Sequence, residues 1–393
     1  MKKILLILAM FMVLLSANMV ASDGVYPDKV VIGTFQALTG PVAPIGVSMK
    51  KGIDAYFNWV NNNGGIYGRK IELIGADDQF NPSKTVVEVK RMVEQDKVFS
   101  IVGGLGTPGV LAVMDYLNSG GVPFVYQGSG SSILAIPPKE YVFTVQPNYI
   151  TEGAIAAKYL METVKAKRVG IIYRADDAGK EALSNFSAWL KDNGYPNALV
   201  QSLAVDPTKV VFDNEILKLI DAKVDALYMV MWTPQSPSFL KQAADYEFKA
   251  TMVGSYANPD ITLIQLAGEA SEGFQALAWV SADAEAPGFL KYVEIYQETF
   301  PGEIPNAYAA AGFIAAEVFT EGLRRAGEEP TREKLVKALE TMSGWTGLIA
   351  PEITYRPFDL EDTYCRTGVQ QMYVMVVKDQ VWTTLHDWIS LAD

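Results

Sequence analysis

From Lys29 onward, short β-branched runs alternate with stretches whose apolar residues recur every three to four positions, and partway along the chain the alternation starts again. A helix that buries one face needs a period near 3.6, whereas a buried strand needs a short apolar run, so this pattern predicts repeated βα units. Such units stack their strands into a parallel sheet with helices on both faces. In the first series, 29–33 reads as a strand and 48–61 as a helix with Met49, Ile53, Phe57 and Val60 on one face. Asn63-Gly64-Gly65 stops that helix, because glycine accepts the left-handed conformation at a helix end. A strand over 70–74 follows, then a helix opened by Asn81-Pro82 and carrying Val86, Val89 and Val93. Residues 99–102, 108–118 and 122–126 continue as strand, helix and strand.

The second series reads as helices over 152–163, 179–193, 212–221 and 236–246, with strands over 168–173, 199–203, 226–231 and 251–254 between and after them. A strand over 274–280, helices over 289–299, 308–325 and 331–341, and a hairpin of 371–377 with 380–385 about Lys378-Asp379 complete the chain. Two successive series imply an α/β fold of two Rossmann-like, doubly wound lobes. The expected division is 24–147 plus 277–352 for the first lobe and 148–276 plus 353–393 for the second. No low-complexity linker intervenes, so several short crossings should join them.

Ahead of the first strand, Lys2 and Lys3 precede an uncharged apolar run over 4–15, and small residues follow at Ser16-Ala17 and Val20-Ala21-Ser22. That is the layout of a secretory signal peptide over 1–22, and the apolar run is short of the roughly 20 residues a spanning helix needs. A lipid anchor would require cysteine at the cleavage point, but the single cysteine is Cys365. The formal charge is −12 with no basic run, which disfavours nucleic acid, since phosphate contacts need clustered Lys and Arg. One histidine, His386, leaves little from which to build a zinc site or a Ser-His-Asp triad. No metal or other cofactor is expected.

Several blocks then resemble one family. Ala37-Leu38-Thr39-Gly40-Pro41 with Gly46, Asn63-Gly64-Gly65-Ile66-Tyr67-Gly68-Arg69-Lys70-Ile71-Glu72-Leu73, Asp77-Asp78-Gln79, Val93-Glu94-Gln95-Asp96-Lys97-Val98 and Ile101-Val102-Gly103 stand in the order seen in leucine/isoleucine/valine-type periplasmic binding proteins. Gly120-Gly121-Val122-Pro123 and 266–273 fit as well. The resemblance implies a type I periplasmic binding fold, with two lobes joined by three hinge crossings and closing on a solute. It also implies a non-enzymatic, monomeric periplasmic protein that delivers this small-molecule ligand to an inner-membrane ABC permease.

The sharpest local feature is Gly103-Gly104-Leu105-Gly106-Thr107-Pro108-Gly109 between a strand and a helix. Gly104, Gly106 and Gly109 spell a dinucleotide fingerprint, but it follows a later strand and no acid stands about 20 positions on to hold a ribose. Read physically, Thr107 caps a helix whose free N–H groups and dipole suit an anion; the resemblance assigns this position to the ligand carboxylate. Gly128, Ser129 and Gly130, after the next strand, can complete the cradle, while no Gly-x-Ser-x-Gly elbow supports a catalytic serine.

The second lobe departs from the resemblance. Asp177-Ala178-Gly179 stands where the family often has a tyrosine before a glycine. Ser255-Tyr256-Ala257 stands where amino-acid binders place the acid that pairs the ligand ammonium. A buried ammonium without a carboxylate costs several kcal/mol, roughly, unless Asp177 or another acid substitutes. Trp232, Tyr256 and Trp279 offer aromatic faces. The ligand expected is therefore a small carboxylate, apolar or aromatic, with a branched-chain amino acid as the alternative.

Overall fold

The computed structural model describes residues 23–280 and 286–391; the signal peptide expected over 1–22 lies outside the described residues. The first sheet has the order β2-β1-β3-β4-β5 and is parallel throughout. Its strands are β1 (Lys29–Gln36), β2 (Lys70–Asp77), β3 (Ile101–Gly104), β4 (Phe124–Val125) and β5 (Val142–Phe143). Side chains alternate between its faces, as a period of two requires. Ile32, Val102, Val125 and Phe143 enter one core with the helices Ala43–Asn62 and Ala307–Ala326, whereas Val31, Phe35, Ile101, Phe124 and Val142 enter the other with Pro82–Glu94 and Thr107–Ser119.

The second sheet runs β12-β11-β10-β9-β8-β6-β7. It comprises β6 (Val169–Arg174), β7 (Leu199–Val205), β8 (Ala226–Val230), β9 (Thr251–Gly254), β10 (Gln275–Ala278), β11 (Gln371–Lys378) and β12 (Val381–Ser390). β6 to β10 are parallel; β11 adds antiparallel to β10, and β12 antiparallel to β11. Ile172, Leu227, Met229 and Met375 face one core, and Ile171, Tyr228, Val230 and Val374 the other.

Three passages join the sheets. One lies between β5 and the helix Tyr149–Lys158, which Asn148 caps by accepting Thr151 N–H at 2.8 Å. The second follows β10. The third leads into β11, and Ile353, Tyr355 and Val369 still lie in the first sheet's core, with Val369 N–H bonded to Val145 O at 3.0 Å. That passage therefore falls near residue 370 rather than at 353, and Leu277 and Ala278 belong to the second sheet. The hairpin turns on Asp379-Gln380, not Lys378-Asp379: both have positive φ, 53° and 60°, as a two-residue type I′ turn demands. β5 and the helix Ile261–Ala267 are too short to print a period on the sequence.

Candidate functional site

In an open α/β sheet the ligand crevice lies beyond the carboxyl ends of the strands. At those ends the first sheet presents Gly106-Thr107 after β3 and Gln127–Gly130 after β4. The second presents Arg174 to Ala178 after β6, Trp232 after β8 and Tyr256 after β9.

The two loops of the first sheet are stitched together. Gly128 N–H donates to Gly104 O at 2.6 Å and Gly106 N–H to Gly128 O at 3.2 Å. This brings the Thr107 and Ser129 hydroxyls to 2.6 Å, and Ser131 N–H donates to Ser129 Oγ at 3.1 Å. Thr107 is the first residue of its helix; the cap is Gly106, which supplies no side-chain bond, so the helix start has its dipole uncapped beside two hydroxyls. Gly106 must be glycine: its φ is +91°, and a Cβ there would stand 2.2 Å from the Phe80 ring. Behind the helix start, Asp78 is fully buried; desolvation raises its pKa, against the bonds it accepts from Thr85 and Phe80.

Facing these loops is a tyrosine cluster. Tyr126 donates to Gln146 Oε1 at 2.6 Å, and Gln146 Nε2 donates to Tyr256 OH at 2.9 Å. Tyr149 and Tyr256 stack with ring centroids 6.1 Å apart. Gly130 is wedged against both, since a Cβ on it would lie 2.2 Å from the Tyr256 hydroxyl. Burial, then the neighbouring Tyr149 and Glu152, pushes the Tyr256 hydroxyl well above its ordinary pKa, so it stays neutral. Glu152 is fully buried and accepts Tyr256 N–H at 2.9 Å; desolvation pushes its carboxyl to about 7, opposed by bonds from Ser255, Tyr256 and Tyr228.

Contacts bridge the two sides. Ser131 Oγ and Ser132 N–H donate to the two oxygens of Glu181 at 2.7 and 2.8 Å. Asp260 accepts Thr262 N–H at 2.8 Å on its own side and Ala307 N–H at 3.0 Å from the other. Tyr308 lies close to Asp260 and Arg174, and burial lifts its hydroxyl to about 12.

The structure thus gathers Gly106, Thr107, Gly128, Ser129, Gly130 and Tyr256 around one gap, with Ala178 buried and Trp232 just beyond the carboxyl end of β8. Asp177 is not turned into it. Its side chain is 92% exposed and lies 3.8 Å from Lys180, because Asp176 takes the cap position and the next residue rotates out to water. Trp279 is also elsewhere: it lines a cavity of about 320 Å³ with Phe289, Leu348, Tyr373 and Trp388. The sequence reading missed Gln146, Tyr149, Glu152, Arg174, Glu181 and Tyr308. Of these only Arg174, which closes a strand, could have been reached from the strand-end rule alone.

A family model described as "Periplasmic binding protein" matches residues 29–381. The chain is 26% identical over 333 residues to the Leu/Ile/Val-binding protein BraC3 of Rhizobium johnstonii, covering 83% of this chain and 88% of that one. Among solved structures it superposes with a TM-score of 0.82 at 19% identity on a branched-chain amino acid ABC transporter protein from Thermus thermophilus with bound valine, covering 94% and 98%. It also superposes with a TM-score of 0.78 at 22% identity on a fatty acid ABC transporter substrate-binding protein from Thermomonospora curvata, covering 94% of each. These neighbours share the type I periplasmic binding fold.

Proposed function

This chain belongs to the periplasmic binding protein family, and from that we propose that it is the solute-binding component of an ABC importer, gripping a small carboxylate between two closing lobes and releasing it unaltered to a membrane permease. The observation that carries this reading is the Thr107–Ser129 hydroxyl pair, 2.6 Å apart at an uncapped helix start and opposite the neutral tyrosine wall. Helix N–H groups and hydroxyls are donors, and donors at a positive dipole end suit a carboxylate. Closure brings Glu181 onto Ser131 and Ser132, so the closed form carries bonds that the open form lacks. A ligand shifts that balance through contacts available only when the lobes meet.

We infer further that the ligand lacks an ammonium group. Asp176, Glu181 and Asp260 are each engaged by protein donors, Asp177 faces water, and Glu152 accepts Tyr256 N–H on Oε1 with only its desolvated Oε2 open. An apolar or aromatic carboxylate fits the tyrosine wall and Trp232. A branched-chain amino acid is the second reading, favoured by the name of the Rhizobium relative. The protein would act as a monomer in the periplasm after loss of its leader. A thermal-shift panel of leucine, isoleucine, valine, aromatic acids and short-chain acids tests both readings. A ligand at 100 times its Kd adds roughly 2.7 kcal/mol of stability. The largest shift from leucine, isoleucine or valine, with none from the other acids, discards the ammonium-free reading.

A further inference from the structure

We propose that Arg174 and the Trp232 indole form a second polar anchor in the gap, taking an oxygen acceptor at the far end of the ligand. The preferred solute is then an oxo acid or a dicarboxylate rather than a plain hydrocarbon acid. This rests on the proposed function above.

Arg174 closes β6, and Trp232 lies just beyond β8, the neighbouring strand, which pairs Tyr173 with Val230. The guanidinium carbon sits 4.0 Å from the Trp232 ring centroid, a stacked geometry that fixes the plane of its donors. Its side chain is only 18% exposed. Nε and Nη2 both engage Asp176 Oδ2, at 2.8 and 2.6 Å, while Asp176 Oδ1 accepts Gly179 N–H at 3.2 Å. The carboxylate is thereby committed, but Nη1 has no partner among the described residues. Trp232 Nε1 also lacks one and, unlike Nη1, is wholly buried. A buried donor left unmade costs roughly 1–3 kcal/mol, so natural structures almost always supply an acceptor. A purely structural Arg174–Asp176 pair would not explain the buried, unpartnered indole N–H.

The position faces the opposite lobe, because Arg174 lies near enough to Tyr308 to act on its hydroxyl. Two open donors without a free acceptor select for a ligand oxygen. Asp176 already offsets the arginine charge, so a carbonyl is accepted as readily as a carboxylate, and the shared requirement is the acceptor. The Thr107–Ser129 pair belongs to the other lobe, so the two anchors hold opposite ends of one solute.

The test uses the mature protein and two matched series: 4-methylbenzoate, 4-acetylbenzoate and terephthalate; heptanoate, 6-oxoheptanoate and pimelate. Affinities are measured by calorimetry. The wild type should bind an acceptor-ended member of one series at least about tenfold tighter than its methyl-ended partner. Arg174→Met keeps the stem on the indole and should reduce that preference to about twofold, with the methyl-ended member unchanged. Trp232→Phe, which keeps a ring and removes the N–H, should cut it part of the way. If Arg174→Met fails to fold, the Arg174→Met, Asp176→Asn double variant removes the pair together and gives the same readout. Equal affinity across each series, or a preference that survives the arginine change, overturns the proposal. If methyl-ended acids or leucine bind and acceptor-ended ones do not, only this inference falls. If no member of the series and no amino acid binds, the binding function falls with it.

Discussion

Replacing Glu181 with alanine should weaken ligand binding by about 30-fold while leaving the empty protein's melting temperature almost unchanged. The carboxylate accepts Ser131 Oγ–H at 2.7 Å and Ser132 N–H at 2.8 Å, both from the opposite lobe. Hydrogen bonds to a charged acceptor contribute roughly 1.5–3 kcal/mol each when well buried. Glu181 is half-exposed, so about 1 kcal/mol apiece is the fitting value after solvent screening. If the lobes part as proposed, all three groups are hydrated in the open form, and the loss of about 2 kcal/mol falls on closure alone. At about 1.4 kcal/mol per tenfold, that is near 30-fold in Kd. Calorimetry on the acid giving the largest thermal shift measures Kd, and stopped-flow release should assign most of the change to a faster off-rate. Ser131→Ala removes one bond and should lose about fivefold. The double variant should show coupling of roughly 1 kcal/mol. A Kd within twofold of wild type, or an equal destabilisation of the empty protein, would refute the assignment of these bonds to closure.

Three further outcomes follow from the same geometry. Thr107→Val keeps the side-chain volume but removes the hydroxyl 2.6 Å from Ser129; affinity should fall roughly five- to tenfold by calorimetry, with an unchanged urea midpoint for the empty protein. Gly106→Ala forces a Cβ into a +91° backbone and against Phe80, so chemical denaturation should show a loss of about 1–3 kcal/mol together with weaker binding. Glu152 has its carboxyl raised from 4.5 to about 7, chiefly by desolvation. A native state that holds its proton more tightly than the unfolded chain loses stability as pH climbs from 4.5 to 7 and levels off above. Glu152→Gln should remove a loss on the order of 3 kcal/mol across that window, read from urea midpoints between pH 5 and 8; parallel wild-type and variant curves would contradict it. Glu317, also raised to about 7 by burial, keeps its own slope in both proteins.

Both sheets and most helices were readable from the pattern, because the central strands are short apolar runs buried on both faces and most helices bury one face. Met49, Ile53, Phe57 and Val60 all turn inward, as their spacing requires. The hairpin was readable in place but not in register: positive φ falls on Asp379 and Gln380, and neither residue type marks a type I′ turn as strongly as Asn-Gly does. That Thr107 and Ser129 lie side by side was legible, because both follow the ends of adjacent strands. Asp177, expected to face the ligand, points to water instead: either acid of Asp176-Asp177 could cap the helix, and only the fold shows that Asp176 does. Glu181 and Gln146 were invisible, because their partners are 50 and 110 positions away. A hydrogen bond across a closing gap leaves no periodic trace.

The nature of the solute turns on how the acids around the gap are already spent. A leucine-like ligand brings an ammonium that must meet a carboxylate, and freeing one here breaks something the fold uses. Taking Asp260 would strip the Thr262 and Ala307 N–H groups of their acceptor and undo a bond between lobes. Taking Glu181 would undo another. Taking Asp176 would leave the Arg174 guanidinium unpaired against the indole. Glu152 already accepts Tyr256 N–H on Oε1, and desolvation, which raises its pKa to about 7, works against the charged form an ammonium would need at the open Oε2. Each exchange costs roughly 1–3 kcal/mol before the ammonium is desolvated, whereas a carboxylate without an amine asks for none of them. If leucine does bind, the acid that serves it can be identified. Whichever of Asp260→Asn, Glu181→Gln or Glu152→Gln abolishes leucine binding outright, beyond the 30-fold expected even when both Glu181 bonds are lost, marks the residue that met the ammonium.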